Sequence, residues 1–380
     1  MDYPFLKEEH LMIRESARQF ATQVLLPTVI ERDISSRFPT EEVRQMADLG
    51  FMGMEIQPQY GGMGLDALSY VIAMEEIAAV DASAAVIMSV NNSLVSYPIQ
   101  RWGTDSQKQK YLPKLANAEW IGAFCLSEPE AGSDATRQHT IAEDQGDHYL
   151  VNGTKNWITN GTVAGVYVVF AQTNPSKGHK GITAFIIERG WDGVTVGKKE
   201  DKMGIRSSDT ATIMFQDVKV PKENVLGQSG EGFRIAMKTL NIGRIGIAAQ
   251  ALGIAKGAFE RALTYAQERK AFGKPIAQHQ AIAFKLADMA TRIEAARLLV
   301  YRAAHAKDQD KTNPMWSAMA KAYASETATY VTKEAVQIHG GYGYVREYHV
   351  ERMMRDAKIT EIYEGTNEIQ RIVISRELLK

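Results

Sequence analysis

A single cysteine in 380 residues rules out an internal disulfide. That residue, Cys125, sits in the apolar run IGAFCL, where a small core side chain is expected rather than a nucleophile. There is no C-x-x-C and no H-E-x-x-H pair, so metal sites of those types have no support and no metal is expected. The G-x-S-x-G elbow is missing too. No apolar run reaches the roughly 18 residues of a membrane-spanning helix. The amino terminus, MDYPFLKEEH, has neither the apolar core of a signal peptide nor the Arg-rich, acid-poor character of a transit peptide, and a cytoplasmic protein, or a mature matrix-type form, is expected. Charge of one sign is also lacking. The 44 Lys and Arg face 45 Asp and Glu for a net charge of -1, which argues against the broad basic surface of a nucleic-acid binder.

Apolar residues, by contrast, are plentiful. They make up 45% of the chain, enough for large cores, and at about 150 residues per domain the length predicts two or three domains. Residues 1–119 show helical apolar spacing with start signals at Thr40, at Asp66 and at the Thr104/Gln107 capping box, which predicts an N-terminal α-helical domain. Residues 120–228 turn to short alternating or β-branched runs such as VYVVFAQ, GITAFIIER and TATIMF, and Asn152-Gly153 reads as a hairpin turn. An antiparallel β middle domain is expected there. Long Ala-rich helices return over residues 229–380 and suit a C-terminal four-helix bundle. The predicted class is therefore mainly α with a β middle domain, an α+β multi-domain chain. One motif is discounted: GGMGLDA (61–67) spells G-x-G-x-x-A, but EIQPQY before it contains Pro58 and is no buried strand, so a loop and helix cap are expected.

The stretch RDAKITEIYEGTNEIQR (355–371) holds the most informative acid. Glu364 stands between Tyr363 and the bare backbone of Gly365, a setting that partly desolvates a carboxylate, raises its pKa and suits it to act as a base. It reads equally as an acid in the first turn of the helix that follows, complementing the macrodipole. Elsewhere, the loop LSEPEAGSD offers N-H groups and the hydroxyls of Ser127 and Ser133, either to the polar edge of a flavin or simply to a β-bend. Trp157 in NWITN fits against an aromatic ring system or in packing. Arg269, after a long helix and before a Phe-Gly turn, is either a bidentate partner for a pyrophosphate or a solvated cap.

Helix, sheet and bundle in that order, with AFCLSEPEAGSDA (123–135), GTKNWITNG (153–161), ERKAFGKPIAQHQ (268–280), EAVQIHGGYGY (334–344) and the terminal YEGT segment, resemble the acyl-CoA dehydrogenase family over essentially the whole chain. The likeness is greatest to short-chain, butyryl-type members. That resemblance implies FAD as cofactor, with Phe124, Leu126, Ser127, Gly132, Ser133, Trp157, Ile158, Thr159, Thr366 and Glu368 at the flavin site. It also implies that Arg269, Phe272, Gln280, Gln337, Gly340 and Gly341 reach the FAD of a neighbouring subunit, and hence a homotetramer built as a dimer of dimers. His339 is left as a packing residue.

The resemblance further implies α,β-dehydrogenation of a short-chain acyl-CoA to the trans-2-enoyl-CoA. Glu364 would take the α proton, FAD N5 would take the β hydride, and electrons would pass to an electron-transferring flavoprotein. The thioester oxygen would be held by the main-chain N-H of Glu364 and a ribityl hydroxyl. Some relatives carry the base at the position of Gly243, where a glycine cannot serve. Substrate contacts are implied at Ser133, Asn241, Arg244, Tyr363 and Gly365, although Asn241 departs from the more common Asp. A branched short-chain acyl-CoA dehydrogenase, an acyl-CoA oxidase of the same fold and a non-catalytic binding protein stay as alternatives.

Overall fold

Two of the three start signals in the first third of the chain, Asp66 and the Thr104/Gln107 box, act where the sequence places them, within a computed structural model that describes residues 3–380. Residues 1 and 2, at which the expected N-terminal domain begins, lie outside the described residues. Seven α-helices follow: α1 (Glu8–Phe20), α2 (Val29–Ser35), α3 (Thr40–Asp48), α4 (Ala67–Ala78), α5 (Ala82–Ser89), α6 (Tyr97–Trp102) and α7 (Asp105–Ala116). Asp66 caps α4 by accepting from the Ser69 N-H at 2.8 Å. Thr104 and Gln107 form the reciprocal capping box of α7, at 3.0 and 3.2 Å, which satisfies donors the helix itself leaves open. Thr40 is the first residue of α3 rather than its cap, which is Pro39. The GGMGLDA stretch is a loop after a 3-10 turn, Pro58–Tyr60, and runs into the α4 cap with no strand before it.

The middle of the chain forms β1 (Gly122–Cys125), β2 (Ile141–Asp144), β3 (His148–Thr159), β4 (Val166–Gln172), β5 (Ile182–Glu188), β6 (Val194–Lys199), β7 (Thr210–Pro221) and β8 (Val225–Leu226). They make one sheet in the order β6-β7-β3-β2-β4-β5-β8, with β1 beside β4. Two expectations are corrected here. The sheet is mostly antiparallel, but β1 runs parallel to β4 from Gly122↔Val166 to Cys125↔Val169, and β2 touches β4 in parallel at Ile141↔Gln172. A four-residue apolar strand carries no mark of direction. Asn152-Gly153 is no hairpin turn: it lies inside β3, where the register against β7 shifts between Val151 and Gly153. The β2–β3 turn instead uses Gly146, at φ +94°. A glycine inside a strand pattern marks a bulge as readily as a turn.

Strand β4 is buried throughout and divides two cores. Val166, Val168 and Phe170 join the helices, while Tyr167, Val169 and Ala171 join a smaller β core with Cys125, as the two-residue period of a strand requires. Cys125 is a core residue, as expected.

Beyond β8 come α8 (Gly232–Glu268), a small hairpin of β9 (Lys270–Ala271) and β10 (Lys274–Pro275), then α9 (Gln280–Asp308), α10 (Pro314–His339), α11 (Val350–Ile359) and α12 (Asn367–Leu378). α8 is buried along its middle and packs on α4, α5, α9 and α10. α10 in turn packs on α9, α11 and α12. Among the described residues no helix is long and apolar enough to cross a membrane.

Candidate active site

The connection between α11 and α12 folds into a tight turn in which Glu364 takes φ +52° and Gly365 φ +93°. A left-handed conformation costs a non-glycine residue roughly 1–2 kcal/mol, so Glu364 stays there because its surroundings fix it. Four groups do so from three helices. Lys321 of α10 donates to the Gly365 carbonyl at 2.9 Å, and Gln370 of α12 donates to the same oxygen at 2.7 Å and to the Glu364 carbonyl at 3.3 Å. Arg244 of α8 donates to the Glu364 carbonyl at 3.4 Å. Thr366 caps α12 at Ile369. Glu364 therefore lies two residues ahead of the cap, outside the first turn of α12, and the helix-start reading of this acid is set aside.

Its carboxylate turns inward. Oε2 is buried and has no hydrogen-bond partner, and it rests on α8 at Gly243, where an added Cβ would lie 2.1 Å away. Burial pushes the Glu364 carboxyl up to about 8, against the opposing pull of Arg244 and Lys321. Among the described residues no acceptor faces the Glu364 main-chain N-H, which leaves a free donor beside a carboxylate poised to accept a proton near neutrality.

Neighbouring side chains surround the turn. The Tyr363 hydroxyl donates to Gln250, whose amide donates to the Ala82 carbonyl at 2.7 Å. Arg244 is 5% exposed and holds Asn241 at 2.7 Å; burial presses its pKa down while Glu364 holds it up. It is thus no helix-surface cation, and of the predicted substrate residues Asn241, Arg244, Tyr363 and Gly365 gather around Glu364. Ser133 is exposed on its loop, and among the described residues no hydrogen bond ties it to this group.

A second group lies where β1 ends. The Ser127 carbonyl accepts from Asn156 N at 2.9 Å, which ties the LSEPEAGSD loop to the NWIT segment of β3. Beneath it Lys155 and Glu128 form a buried pair at 2.7 Å. Lys155 also donates to the Leu126 carbonyl at 3.2 Å, and Glu128 accepts from the N-H groups of His139 and Thr140 at 2.6 and 3.1 Å. Trp157 takes φ +61° and is 62% exposed, so it is not packing. Phe124 lies against Phe170, ring centroids 5.0 Å apart. Leu126 and Ile158 are buried in the helical and β cores respectively, so neither offers a free side chain; Thr159 pairs with Thr210. Gly132 faces open space.

The third group surrounds the β9–β10 hairpin. Phe272 at its tip is 95% exposed, Gln280 opens α9, and Gln337, Gly340 and Gly341 are exposed at the end of α10. The Arg269 guanidinium lies 5.6 Å over the Tyr342 ring. Nothing lies within 4 Å of a Cβ placed on Gly340 or Gly341, and Arg269, Ile276, Gly340, Gly341 and Tyr342 line a cavity of about 510 Å³. His339 is buried, stacked on Tyr265 at 4.3 Å, a packing residue as read. Thr366 serves as a cap and Glu368 is exposed on α12. Sequence reasoning missed Lys321, Gln250, Gln370 and the Lys155–Glu128 pair. For Lys321 a faint signal existed, a lone cation within the small-residue run AMAKAYA.

Three family profiles cover this chain: acyl-CoA dehydrogenase, N-terminal domain, over residues 7–119; middle domain, over 123–218; and C-terminal domain, over 230–379. With a helical, β and helical fold and a buried carboxylate at its centre, the chain belongs to the acyl-CoA dehydrogenase family and is an enzyme of that class. It is 50% identical over 380 residues to the short-chain specific acyl-CoA dehydrogenase of Clostridium acetobutylicum, covering 100% of both chains. The butyryl-CoA dehydrogenase of Megasphaera elsdenii superposes with a TM-score of 0.98 at 51% identity, again over 100% of both. A chain solved in work on the electron transferring flavoprotein of Acidaminococcus fermentans and flavin-based electron bifurcation gives 0.98 at 52% identity, with 100% of each covered.

Proposed function

We propose that this enzyme dehydrogenates short-chain acyl-CoA thioesters to trans-2-enoyl-CoA with Glu364 as the base. The observation that carries the reading is the buried, unpartnered Glu364 Oε2 beside a main-chain N-H with no acceptor. A thioester α proton is too weakly acidic for a carboxylate unless the carbonyl oxygen is hydrogen-bonded as charge develops. The Glu364 N-H supplies one such donor from the residue that takes the proton, and a base raised to about 8 has the proton affinity for the step. Arg244, Gln370 and Lys321 fix the turn, so donor and base are presented together.

FAD fits the remaining two groups. An exposed Trp157 at positive φ, the open backbone at Gly132, and the main-chain groups between Phe124 and Ser133 and around Ile158 and Thr159 form a surface suited to a flavin. The exposed Arg269, Phe272, Gln280 and Gln337 with the bare Gly340 and Gly341 suit a pyrophosphate and adenine brought by a second subunit, with Thr366 and Glu368 assigned to the cofactor at the start of α12. When bound, FAD supplies the acceptor for the β hydride. The exposed hairpin and its cavity support a homotetramer in which each cofactor is completed by a neighbour. We assign Asn241, Arg244, Tyr363, Gly365 and Ser133 to the acyl-CoA, and an electron-transferring flavoprotein as the electron acceptor, supported by the likeness to the Acidaminococcus and Megasphaera chains.

The test is an anaerobic titration of the purified protein with butyryl-CoA, following the oxidised-flavin absorbance, beside Glu364→Gln. Bleaching in the parent and none in the variant is the expected result. A flavin that stays oxidised with butyryl-CoA but bleaches with branched acyl-CoAs would move the substrate, and rapid oxygen consumption would make the enzyme an oxidase.

A further inference from the structure

Glu364 and the surface assigned to the flavin belong to different domains, and α11 is where the two are joined. The β6–β7 loop, residues 200–209, reaches out of the middle domain and inserts Ile205 into the helical core. Ile205 takes φ +42°, a conformation that a β-branched residue keeps only when its surroundings hold it there. The hold comes from α11, where Asp356 Oδ1 accepts from the Ile205 N-H at 2.5 Å. Arg355 beside it donates to the Met203 carbonyl at 2.9 Å, to both carboxylate oxygens of Asp33 on α2 at 3.2 and 2.6 Å, and to Glu351 at 2.8 and 3.0 Å. One arginine thus ties together the N-terminal, middle and C-terminal domains. Gly204 lies so close to α11 that an added Cβ would stand 2.3 Å from the Arg355 carbonyl oxygen and 2.6 Å from the Asp356 nitrogen.

From this junction, hydrogen bonds lead to both sides of the reaction. Toward the base, successive turns carry the chain from α11 through Thr360, Glu361, Ile362 and Tyr363, each N-H bonded back to residues 357–359. Toward the flavin surface, Asp209 at the far end of the loop accepts from Asn160 N at 2.9 Å and from Thr162 N at 2.5 Å, and Thr210 pairs with Thr159. We propose that Gly204, Arg355 and Asp356 are positioning residues that fix the spacing between the Glu364 carboxylate and the NWIT face, so that proton and hydride leave one substrate on opposite sides. The inference rests on the reading of Glu364 as the base and of residues 157–159 as flavin surface. The base and a thioester donor both come from the Glu364 turn, so α-proton removal draws on the helical side; hydride transfer must cross to the middle domain. A displacement at the junction therefore uncouples the two steps.

The experiment takes the flavin-loaded enzyme with butyryl-CoA in D2O under anaerobic conditions and records two initial rates. One is loss of the oxidised-flavin absorbance; the other is deuterium gained at the α carbon of recovered butyryl-CoA, by mass spectrometry. Gly204→Ala drives a methyl between loop and helix without changing charge, Asp356→Ala deletes the acceptor, and Asp356→Asn keeps one at that position. In Gly204→Ala and Asp356→Ala the expected result is flavin reduction slowed about 10- to 100-fold, with deuterium gained per flavin reduced rising by a comparable factor. Asp356→Asn should lie closer to the parent. Amide hydrogen exchange of the same loaded proteins should quicken together at Asn160 and Thr162 and at residues 361–363. A junction that serves folding alone slows both rates by one factor, as the share of folded enzyme falls, and that outcome overturns the proposal. An unchanged reduction rate in Gly204→Ala overturns it as well. If either variant does not load flavin, Arg355→Lys, which keeps the charge and loses the fork, is read in its place, and failure of all three to load leaves the junction a folding role only. Glu364→Gln keeps the two failures apart. Exchange and reduction at parent rates in that variant bring down the base assignment and this proposal with it; loss of both there, with an unmoved ratio in Gly204→Ala, brings down the positioning role alone.

Discussion

The Glu364 carboxylate occupies the space that any side chain at position 243 would need: a Cβ on Gly243 would meet Oε2 at 2.1 Å and Leu94 Cδ2 at 2.7 Å. Base and glycine are thus two halves of one packing arrangement on α8. Gly243→Ala should raise intrinsic helix propensity by up to about 1 kcal/mol and still damage catalysis, because the carboxylate must swing off its mark. The expected outcome is a folded, flavin-bearing protein whose reduction by butyryl-CoA slows about 100-fold. Stopped-flow absorbance checks it, and an unchanged rate would show that the carboxylate does not work from this position.

Glu364 also leaves a signature in stability. Its carboxyl is raised to about 8 from an ordinary 4.5, so between those values the folded protein holds a proton the unfolded chain has released. Stability from this group is complete below about 4.5 and declines as pH rises toward 8. Glu364→Gln, which does not titrate, should therefore melt at a higher temperature than the parent at pH 8.5, by at least a few degrees, with the gap closing toward pH 5.5. Calorimetry at the two pH values measures the difference; a gap of constant size would mean that Glu364 ionises normally in the fold.

Much of this was legible beforehand, and the gaps have physical causes. Helix starts at Asp66 and Thr104 were readable because capping is local chemistry, a side chain answering an N-H three residues on. Glu364 was readable as a candidate because its neighbours Tyr363 and Gly365 set its surroundings, yet only the fold decides that its carboxylate meets Gly243, 121 positions earlier, rather than solvent at a helix start. Lys321 was missed because its partners, Gly365 and Asn367, are 44 and 46 residues away and one of them is a carbonyl, which no sequence pattern marks. Asn152-Gly153 misled for the converse reason: the same dipeptide serves a hairpin or a bulge, and pairing with β7 chose the bulge.

Lys155 and Glu128, buried together under the loop that carries Ser127 and Ser133, predict a structural failure with a functional echo. Burial presses Lys155 down, against Glu128. Burial pushes Glu128 up, but Lys155 and the N-H groups of Thr140 and His139 outweigh it and hold the acid below its usual range. Lys155→Met would strand Glu128 as an unpaired buried charge, a loss of roughly 3–5 kcal/mol. The melting temperature should drop by about 5–15 °C, and flavin should leave more readily as the loop loosens. Adding Glu128→Gln to Lys155→Met should recover part of the loss. Differential scanning calorimetry of the single and double variants checks this, and a single variant as stable as the parent would deny the pair its role.

Arg269 offers the sharpest separation between cofactor binding and fold. It stands at the end of α8, exposed, over the Tyr342 ring and beside the open backbone of Gly340 and Gly341, and no ion pair engages it among the described residues. Its removal therefore strands no partner within the chain, and Arg269→Ala should leave the melting profile of the flavin-free protein within about 0.5 kcal/mol of the parent. If the guanidinium grips a pyrophosphate, its loss forfeits charge-assisted hydrogen bonds worth roughly 1.5–3 kcal/mol, a rise in the Kd for FAD of about 10- to 100-fold. Flavin fluorescence during reconstitution measures that Kd directly. Because the phosphate would come from a neighbouring subunit's cofactor, mixed assemblies of parent and Arg269→Ala chains should carry weak sites in proportion to the variant chains, wherever those sit. An FAD affinity equal to the parent's would return Arg269 to a solvated helix cap.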